Sequence, residues 1–591
     1  MELDIVDNIS SDEIIKNIKK VSDKYQEIIL CLMQGRGNMI PASLIDMDKN
    51  RVILSSLSEQ FIKNPEKFWQ LNIQYVEKFQ NLVINSVEKF VGKSTTPLFS
   101  PNSKDRRFKD LAWQDNAYFD FVKQFYLMSS EWLQDNIKQY ELAPDLKQHL
   151  AFMTHQFINA FSPSNFAFGN PIVLSKILET GGQNLVQGLE NFLADIRNSS
   201  DILNIKTTDN NAFLLGKNIA TTKGKIVFQN QLIQLICYEP KQKTRAIPLL
   251  IIPPCINKYY ILDLSEHNSM VAFLVEHNFQ VYMVSWVNPD ETLADKSFED
   301  YVKEGVLEAC EYIMRFGYNH INAIGYCIGG TFLATAVAYL KANNLNYINS
   351  VSFITTLLDF KNPGEVSVFV NESSIAMIEQ EMNSKGYFDG RYLSNSFSLL
   401  RANDLVWSFF VNNYLLGQTP MPFDLLYWNA DPTNLPTNMY SYYLRNMYLN
   451  NLLKEPSNLS LFGTPIDLSK IDCNSFFLAA NDDHIAPWRS VYEGLKLLKG
   501  NKTFCLTSSG HVAGVVNPPA MSKYNYKTNK DLTLTSESWF INADEHQGSW
   551  WSYWLTWLED NSGELIKSID YDRLKSIELA PGKYAHKRIV T

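Results

Sequence analysis

The sequence contains little of what marks membrane, secreted or metal-binding proteins. Its most apolar stretches, such as residues 247–256, are short and contain prolines, and none approaches the roughly 18 residues of a membrane span. The chain begins Met-Glu-Leu-Asp, without the basic and apolar regions of a secretion signal. Its seven cysteines show neither paired nor metal-ligand spacing, which favours reduced thiols in a cytosol. We therefore expect a cytoplasmic protein with no transmembrane segment and no metal.

An excess of positive charge is also absent. Lys and Arg number 53 against 63 Asp and Glu, so the net charge is -10, and the sequence pI is about 5.5. This balance argues against nucleic acid as a partner. The 45% hydrophobic and 13% aromatic content is ample for a core and excludes general disorder. At 591 residues the chain is expected to form one large domain or two medium ones.

The most informative pattern that is present is GYCIGG at residues 325–330. It lies between an apolar run typical of a strand (321–324) and another typical of a helix (331–340). Strand, glycine turn, nucleophile and helix form the nucleophile elbow of α/β-hydrolases, with Cys327 where Ser is usual. The helix N-terminus favours a thiolate, and the backbone N–H of Ile328 is a candidate oxyanion donor. The alternative is a buried structural cysteine beside a glycine turn.

Two later apolar runs, each typical of a buried strand, end in candidate acids and bases. NDDH at 481–484 directly follows the run 475–480, and SSGH at 508–511 directly follows the run 502–507. The order nucleophile, acid, base along the chain is the one that an α/β-hydrolase requires. This order favours a catalytic over a structural role for Cys327.

The two motifs offer two candidates for the acid and two for the base. On spacing alone, Asp482 and Asp483 are nearly equal candidates for the acid. His511 is the better base because neighbouring side chains at a strand end diverge, which leaves His484 badly placed to be oriented by Asp483. His484 is then expected to support the site or to contact the substrate. The candidate triad is Cys327, one of the two aspartates, and His511.

Helix-like and strand-like segments are unevenly distributed. Residues 1–205 have apolar positions at helical spacing, which predicts a helical N-terminal region. In residues 206–591, short β-rich runs alternate with helical stretches, which predicts a parallel sheet with βαβ crossovers. An aromatic-rich insert at about 359–458 interrupts the sheet pattern, and such inserts commonly form a cap over the site. The predicted fold is an α/β-hydrolase with a cap insertion, preceded by a mostly helical N-terminal domain.

Several long motifs extend the pattern beyond the candidate triad. They are NIATTKGKIVFQN (218–230), IIPPCINKYYILDL (251–264), VSWVNPD (284–290), GYCIGGT (325–331), YWNAD (427–431), DDHIAPW (482–488) and SGHVAGVVNPP (509–519). In these motifs the chain resembles the class I polyhydroxyalkanoate synthases, the poly(3-hydroxybutyrate) polymerase family. The resemblance covers nearly everything after about residue 100.

The resemblance implies an acyltransferase that joins short-chain 3-hydroxyacyl units, chiefly (R)-3-hydroxybutyryl, from coenzyme A thioesters into a polyester. Cys327 would be the nucleophile, and His511 the general base. The family motif D-H-I-x-P-W selects Asp483 as the acid. Exchange of one thioester for another is nearly isoenergetic, so the acyl group stays activated, whereas Ser would trap it as a stable ester. The coenzyme A thioester is a substrate and coenzyme A a product, so no cofactor is expected.

By fold analogy, the second oxyanion donor is expected from the loop after the strand at 248–252. Cys255 and Ile256 are the candidates in that loop.

The resemblance also implies a homodimer formed through the catalytic domain, located in the cytoplasm on polyester granules. Its partners would be the growing polyester chain, the granule surface and granule-associated proteins. The region 1–205 holds no triad member and is expected to serve granule association and dimer stabilisation.

Two other functions use the same patterns. A cysteine-dependent thioesterase or polyester depolymerase would share the elbow and the triad, and only the long motifs outside the triad favour the synthase. A non-catalytic granule-binding scaffold is disfavoured because all three triad positions are intact.

Overall fold

The computed structural model describes residues 11–33, 47–198, 205–521 and 523–589, which form two compact units. The first, here called the N-terminal unit, comprises the chain up to Asp209 together with Asn395–Met421. The second, the sheet unit, comprises Asn210–Ser394 and the residues from Pro422 onward. The sequence predicts a boundary after residue 205, and the boundary between the units follows Asp209.

The N-terminal unit is built of helices, as its apolar spacing predicts. Proline at the first helical position begins three of them, where its missing N–H costs no hydrogen bond. The helices are Ser11–Met33, Met47–Lys63, Pro65–Phe90, Ala112–Asp115, Ala117–Gln139, Pro144–Ala160, Pro171–Thr180 and Gln183–Asn198, with Asn403–Trp407 (π), Ser408–Phe410 and Val411–Leu415 (π) from the insert.

The central part of the insert packs on the helix Gln183–Asn198. A Cβ at Gly188 would lie 1.9 Å from the carbonyl oxygen of Tyr414, so only glycine permits this approach. The Tyr414 hydroxyl donates to Asp195 Oδ2 over 2.7 Å. The insert, predicted as one piece over 359–458, is therefore divided between the two units.

In the described part of the chain, the sheet unit holds an eleven-stranded sheet. Its strands are β1 (Gly224–Gln229), β2 (Ile233–Tyr238), β3 (Leu249–Ile252), β4 (Val281–Trp286), β5 (Ile321–Tyr326), β6 (Ile348–Ile354), β7 (Asn474–Ala480), β8 (Lys502–Thr507), β9 (Asn525–Thr528), β10 (Asp544–Gln547) and β11 (Glu578–Leu579). Their spatial order is β10-β9-β8-β7-β6-β5-β3-β4-β2-β1-β11. The block from β8 to β4 is parallel, and the flanking strands pair antiparallel. This arrangement confirms the predicted α/β-hydrolase class.

In the described residues, the sheet unit also contains helices and short two-stranded pairs. The helices are Met270–Glu276, Phe298–Val302, Lys303–Leu307 (π), Glu308–Met314, Ile328–Ala342, Glu372–Lys385, Asp424–Asn429, Thr437–Tyr442, Tyr443–Leu449 (π), Trp488–Leu495, Ser536–Ile541, Trp551–Asp560 and Gly582–His586. The helix Gly390–Leu400 begins in this unit, and its residues from Asn395 onward belong to the N-terminal unit. The short paired strands are Lys243–Arg245 with Leu565–Lys567, Tyr387–Phe388 with Leu435–Pro436, and Leu459–Leu461 with Thr464–Ile466. Across the described ranges, every helix is too short or too polar to traverse a lipid bilayer.

The core of the sheet unit lies on both faces of the parallel strands. All residues of β4 and β5 are buried, as expected for parallel strands covered by helices on both sides. The aromatic segment before and within the helix Trp551–Asp560 covers part of one face. Trp550, Trp551 and Trp554 are fully buried there, and Trp554 Nε1 donates to Ser352 Oγ on β6 over 3.0 Å.

The close contact between Gly305 and Trp286 indicates how tightly the helices pack on this sheet. A Cβ at Gly305 would lie 2.1 Å from the ring of Trp286, which is 3% exposed and stacks on Tyr301. We expect Gly305→Ala to destabilise the fold by about 1–3 kcal/mol through this overlap. A lowered thermal unfolding midpoint measures it. The matched control is Gly510→Ala, whose Cβ would meet only the Asp482 carbonyl at 3.6 Å. Equal midpoints for both variants would contradict the prediction.

Candidate active site

Cys327 stands at a sharp turn between β5 and the helix Ile328–Ala342, here called the elbow helix. Its backbone angles are φ 55° and ψ -127°, in a region that side-chain-bearing residues rarely adopt. Glycines make the turn possible, because a Cβ at Gly325 would lie 2.4 Å from Gly330 Cα. A Cβ at Gly330 would lie 2.0 Å from Thr356 Oγ1. Strand, turn and helix therefore touch, as the elbow pattern predicts.

Backbone hydrogen bonds fix Cys327 in this conformation. Its N–H donates to the carbonyl of Ile354 at the end of β6 over 2.9 Å. Its carbonyl accepts from the Gly330 N–H over 2.9 Å and from the Thr356 hydroxyl over 3.2 Å. The side chain is half-buried at the carboxyl edge of the sheet. The thiol is thus held rigidly.

Asp483 lies in the turn after β7 with its carboxylate fully enclosed. Oδ1 accepts from the N–H groups of Ile485 and Ala486 at 2.8 Å and 2.9 Å. Oδ2 lies 2.7 Å from Nδ1 of His511. Asp482 is exposed, and its Oδ1 accepts from the side-chain amide of its neighbour Asn481. The contacts therefore resolve the choice that spacing left open: Asp483 is the aspartate that meets His511.

His511 follows β8 and lies between the other two members of the candidate triad in its electrostatic surroundings. Its Nδ1 is hydrogen-bonded to the Asp483 carboxylate, and the Cys327 sulfur lies near enough to act on the charge of the ring. The ring stacks on Tyr326, with centroids 5.7 Å apart, and the Tyr326 hydroxyl donates to the His511 carbonyl over 3.0 Å. Burial would lower the pKa of the imidazole, but the Asp483 carboxylate and the Cys327 sulfur raise that pKa well above 6.5.

His484 has a different position. It is half-buried in the turn beside Asp483, and its carbonyl faces Gly364, where a Cβ would lie 2.6 Å away. The Asp483 carboxylate is occupied by two backbone N–H groups and by His511. His484 is therefore not the imidazole that Asp483 orients.

The loop after β3 reaches the first turn of the elbow helix. A Cβ at Gly329 would lie 2.3 Å from the Ile252 carbonyl oxygen and 2.6 Å from that of Pro253. Among the hydrogen bonds of the described residues, none is donated by the backbone N–H of Ile328 or of Ile256. The unpaired N–H of Ile328 directly follows Cys327, and the unpaired N–H of Ile256 belongs to the loop that packs on the same helix, so both are candidates to receive an anionic oxygen.

Cys255, the other candidate in that loop, presents only its backbone to the site. Its side chain is 1% exposed, and burial together with the nearby Cys327 raises the pKa of its thiol strongly. Its carbonyl accepts a hydrogen bond from the Thr433 hydroxyl. Cys255 thus remains a thiol, and its carbonyl is bonded to the insert.

Two tyrosines of the insert also lie near Cys327, and no specific sequence pattern indicates them. Tyr443 and Tyr448 belong to the π-helix Tyr443–Leu449, whose wider turn brings residues five apart onto one face. Their ring centroids are 5.4 Å apart, and both rings contact Phe360. Burial and the nearby Cys327 raise the pKa of both phenols. The aromatic richness of the insert was the only hint.

The arrangement supports nucleophilic chemistry at Cys327. A thiol at a helix N-terminus, an imidazole near it and a carboxylate hydrogen-bonded to the imidazole form the constellation that activates a nucleophile for acyl transfer. In the ranges that the structure describes, no group of three His, Cys, Asp or Glu side chains could hold a metal ion.

The Asp483–His511 contact can be tested by titration. In Asp483→Asn we expect the pKa of His511 to fall, because burial then acts on the imidazole without the opposing carboxylate. The variant imidazole should lose its proton at a lower pH than the wild-type one, as followed by NMR of labelled histidine. Asp482→Asn is the matched control and should leave the titration unchanged. An unaltered His511 titration in Asp483→Asn would refute the interpretation.

Two family models match the chain. The model described as "Poly-beta-hydroxybutyrate polymerase (PhaC) N-terminus" matches residues 104–274, which include the end of the N-terminal unit and the first strands of the sheet. The model described as "alpha/beta hydrolase fold" matches residues 248–518, which hold Cys327, Asp483 and His511.

Curated relatives match over most of their length. The poly(3-hydroxyalkanoate) polymerase of Methylorubrum extorquens is 38% identical over 592 residues, covering 98% of this chain and 98% of the relative. The poly(3-hydroxyalkanoate) polymerase subunit PhaC of Cupriavidus necator is 41% identical, covering 81% and 82%. The subunit PhaC of Rhizobium etli is 37% identical, covering 94% and 88%. With this similarity and this fold, the chain belongs to the poly(3-hydroxyalkanoate) polymerase family, acyltransferases with an α/β-hydrolase fold.

Proposed function

We propose that this enzyme polymerises short-chain 3-hydroxyacyl-coenzyme A, chiefly (R)-3-hydroxybutyryl-coenzyme A, through a covalent thioester at Cys327. The observation that carries the proposal is His511, which is hydrogen-bonded to the Asp483 carboxylate and lies near the Cys327 sulfur at the elbow. The relatives' names, which specify a poly(3-hydroxyalkanoate) polymerase, supply the product class.

In the acylation step, His511 takes the proton from the Cys327 thiol, and the thiolate attacks the thioester carbonyl of the substrate. The carbonyl oxygen becomes an oxyanion, which the N–H groups of Ile328 and Ile256 stabilise. The carbon–sulfur bond to coenzyme A then breaks, and His511 returns the proton to the departing thiolate. The products are acyl-Cys327 and free coenzyme A.

In the elongation step, the 3-hydroxyl of another unit attacks acyl-Cys327. His511 removes the hydroxyl proton, an ester bond forms, and the bond to Cys327 Sγ breaks, which regenerates the thiol. A thioester is a more reactive donor than an oxygen ester, so cysteine keeps the chain end transferable where serine would not. This is the chemical reason for Cys327 in an elbow that usually carries serine.

Asp483 supports both steps through His511. Its carboxylate holds Nδ1, so that Nε2 is free to exchange protons at Cys327. The Asp483 carboxylate and the Cys327 sulfur raise the pKa of His511, which supports a role for the charged imidazolium in this environment. A stabilised imidazolium lowers the barrier of each step in which the ring carries the extra proton.

Cysteine-dependent hydrolysis, as in a thioesterase or polyester depolymerase, would need water instead of a 3-hydroxyl as the acceptor. Apolar and aromatic groups of the insert, including Tyr443 and Phe360, pack near Cys327. Exclusion of water by such groups favours transfer to a bound hydroxyl.

The role of Cys327 can be tested with 3-hydroxybutyryl-coenzyme A. Cys327→Ala should lower thiol release more than about a thousandfold, because loss of the nucleophile removes the covalent route. Cys327→Ser should retain far less activity than the wild type. Cys310→Ala, a buried cysteine on the helix Glu308–Met314, is the matched control. Polymer mass is measured beside thiol release. Thiol release above a few per cent in Cys327→Ala, or free acid in place of polymer, would refute the proposal.

The proposal extends to a cytoplasmic homodimer that binds polyester granules through the N-terminal unit. The helix Pro65–Phe90 carries a row of exposed apolar side chains at helical spacing. Its members are Trp69, Ile73, Val76, Ile84, Val87 and Phe90. Exposed apolar side chains grouped along one helix in this way suit an apolar polymer surface.

Replacing this apolar face should uncouple granule binding from chemistry. In the full chain with Trp69→Ser, Ile73→Ser, Ile84→Ser and Val87→Ser, we expect weaker pelleting with polyester granules. Thiol release from soluble substrate should be close to the wild-type rate, since this helix holds no triad residue. A matched variant replaces exposed apolar residues of the sheet unit, Leu345, Leu565 and Ile577, by Ser. Normal granule pelleting of the first variant would contradict the assignment of this face to granule binding. If the first variant were a monomer on gel filtration, the face would instead be part of the dimer interface.

A further inference from the structure

The loop after β3, here called the β3 loop (Pro253–Lys258), is bonded to the insert through its carbonyl groups. The Thr433 N–H donates to the Ile256 carbonyl over 2.8 Å, and the Thr433 hydroxyl donates to the Cys255 carbonyl. Trp428 Nε1 donates to the Lys258 carbonyl over 2.7 Å. An isolated antiparallel bridge joins Asn257 to Pro432. The insert segment 428–433 thus takes three of the last four carbonyls of the loop.

This bonding fixes the direction of the Ile256 N–H. A trans peptide is planar, and its C=O and N–H groups point in opposite directions. The Cys255 carbonyl and the Ile256 N–H belong to one peptide. Since Thr433 holds that carbonyl, the N–H is turned away from the insert segment, and it has no acceptor among the described residues.

Thr433 is itself held firmly. Its side chain is 0% exposed, and its carbonyl lies against Gly390, where a Cβ would approach within 2.3 Å. The next residue, Asn434, is held by three hydrogen bonds. Its N–H donates to Asn288 Oδ1 over 2.9 Å, its side-chain amide donates to the Pro289 carbonyl over 3.1 Å, and its Oδ1 accepts from the Gly390 N–H over 3.1 Å. Thr433 therefore has little freedom to follow the β3 loop if that loop moves.

We propose that Thr433 is a positioning residue that holds the Cys255–Ile256 peptide so that the Ile256 N–H can stabilise the oxyanion formed at Cys327. The inference rests on the proposed acyl transfer at Cys327 and adds a dependence of that chemistry on the insert. The nucleophile, acid and base stand at the ends of β5, β7 and β8, whereas the second oxyanion donor is held by the segment 428–433. The oxyanion site is complete only when this segment is seated.

The experiment compares Thr433→Val, which removes the hydroxyl but keeps the shape, with Thr433→Ser, which keeps the hydroxyl. The control is Thr335→Val, an equally buried threonine whose hydroxyl donates within the elbow helix to the Thr331 carbonyl. All variants are full-length. Acylation is followed as thiol release from 3-hydroxybutyryl-coenzyme A, and the reactivity of Cys327 is followed separately as its alkylation by iodoacetamide. Alkylation displaces iodide directly and forms no oxyanion, so it does not need the Ile256 N–H.

We expect Thr433→Val to lower kcat for thiol release about tenfold to a hundredfold, somewhat less than loss of an oxyanion donor itself, with little change in KM. Its alkylation rate should equal that of the wild type. Thr433→Ser and Thr335→Val should both retain near-wild-type kcat.

An unchanged kcat in Thr433→Val would overturn the inference, and so would an equal loss of thiol release and alkylation, which would indicate general disruption. If Thr433→Val does not fold, Trp428→Phe, which removes the donor to the Lys258 carbonyl, replaces it under the same criteria. Thiol release by Cys327→Ala would instead overturn the proposed function, so the two failures are distinguishable.

Discussion

The strained backbone of Cys327 is the constraint on which the rest of the site depends. A non-glycine residue at φ 55° costs roughly 1–3 kcal/mol, so the surroundings must impose that conformation. They do so through the hydrogen bond to the Ile354 carbonyl and through the contact of Gly325 with Gly330. Both depend on β5 and β6 pairing in register within a sheet that helices cover on both sides. The large buried core thus serves to hold one thiol at a fixed edge.

The same sheet edge brings together charges that would be costly elsewhere. Asp483 is fully enclosed, yet its carboxylate is satisfied by two backbone N–H groups and by the His511 imidazole. Because the carboxylate is paired in this way, its charge is available to raise the pKa of His511 against the effect of burial. The loop after β7 therefore does more than carry Asp483, since its backbone N–H groups also satisfy the carboxylate that is hydrogen-bonded to His511.

The sequence predicts the parts of the site that follow strands. Apolar runs marked β5, β7 and β8, and the residues directly after them include Cys327, Asp483 and His511. Spacing alone could not separate Asp482 from Asp483, because only the path of the turn decides which carboxylate is enclosed. The polar strands β9 and β10, at one end of the sheet, have no apolar alternation, and the sequence pattern does not predict them. The division of the insert between the two units depends on the packing of Gly188 against Tyr414, two residues far apart in the chain. A pattern of neighbouring residues cannot predict such a contact.

The residues near the site that sequence reasoning missed share one property, which is that they belong to the insert. Thr433 donates to a backbone carbonyl, and Tyr443 and Tyr448 are brought together by a π-helix and by ring packing. The two-residue period of strands and the 3.6-residue period of α-helices indicate neither arrangement. A rigid sheet alone would leave the acyl-cysteine equally open to water and to a hydroxyl. If one oxyanion donor is held by the insert, acyl transfer is fast only while the insert is seated, and seating also excludes water. Placing that donor under the control of the insert would therefore favour chain growth over hydrolysis without any change in the triad.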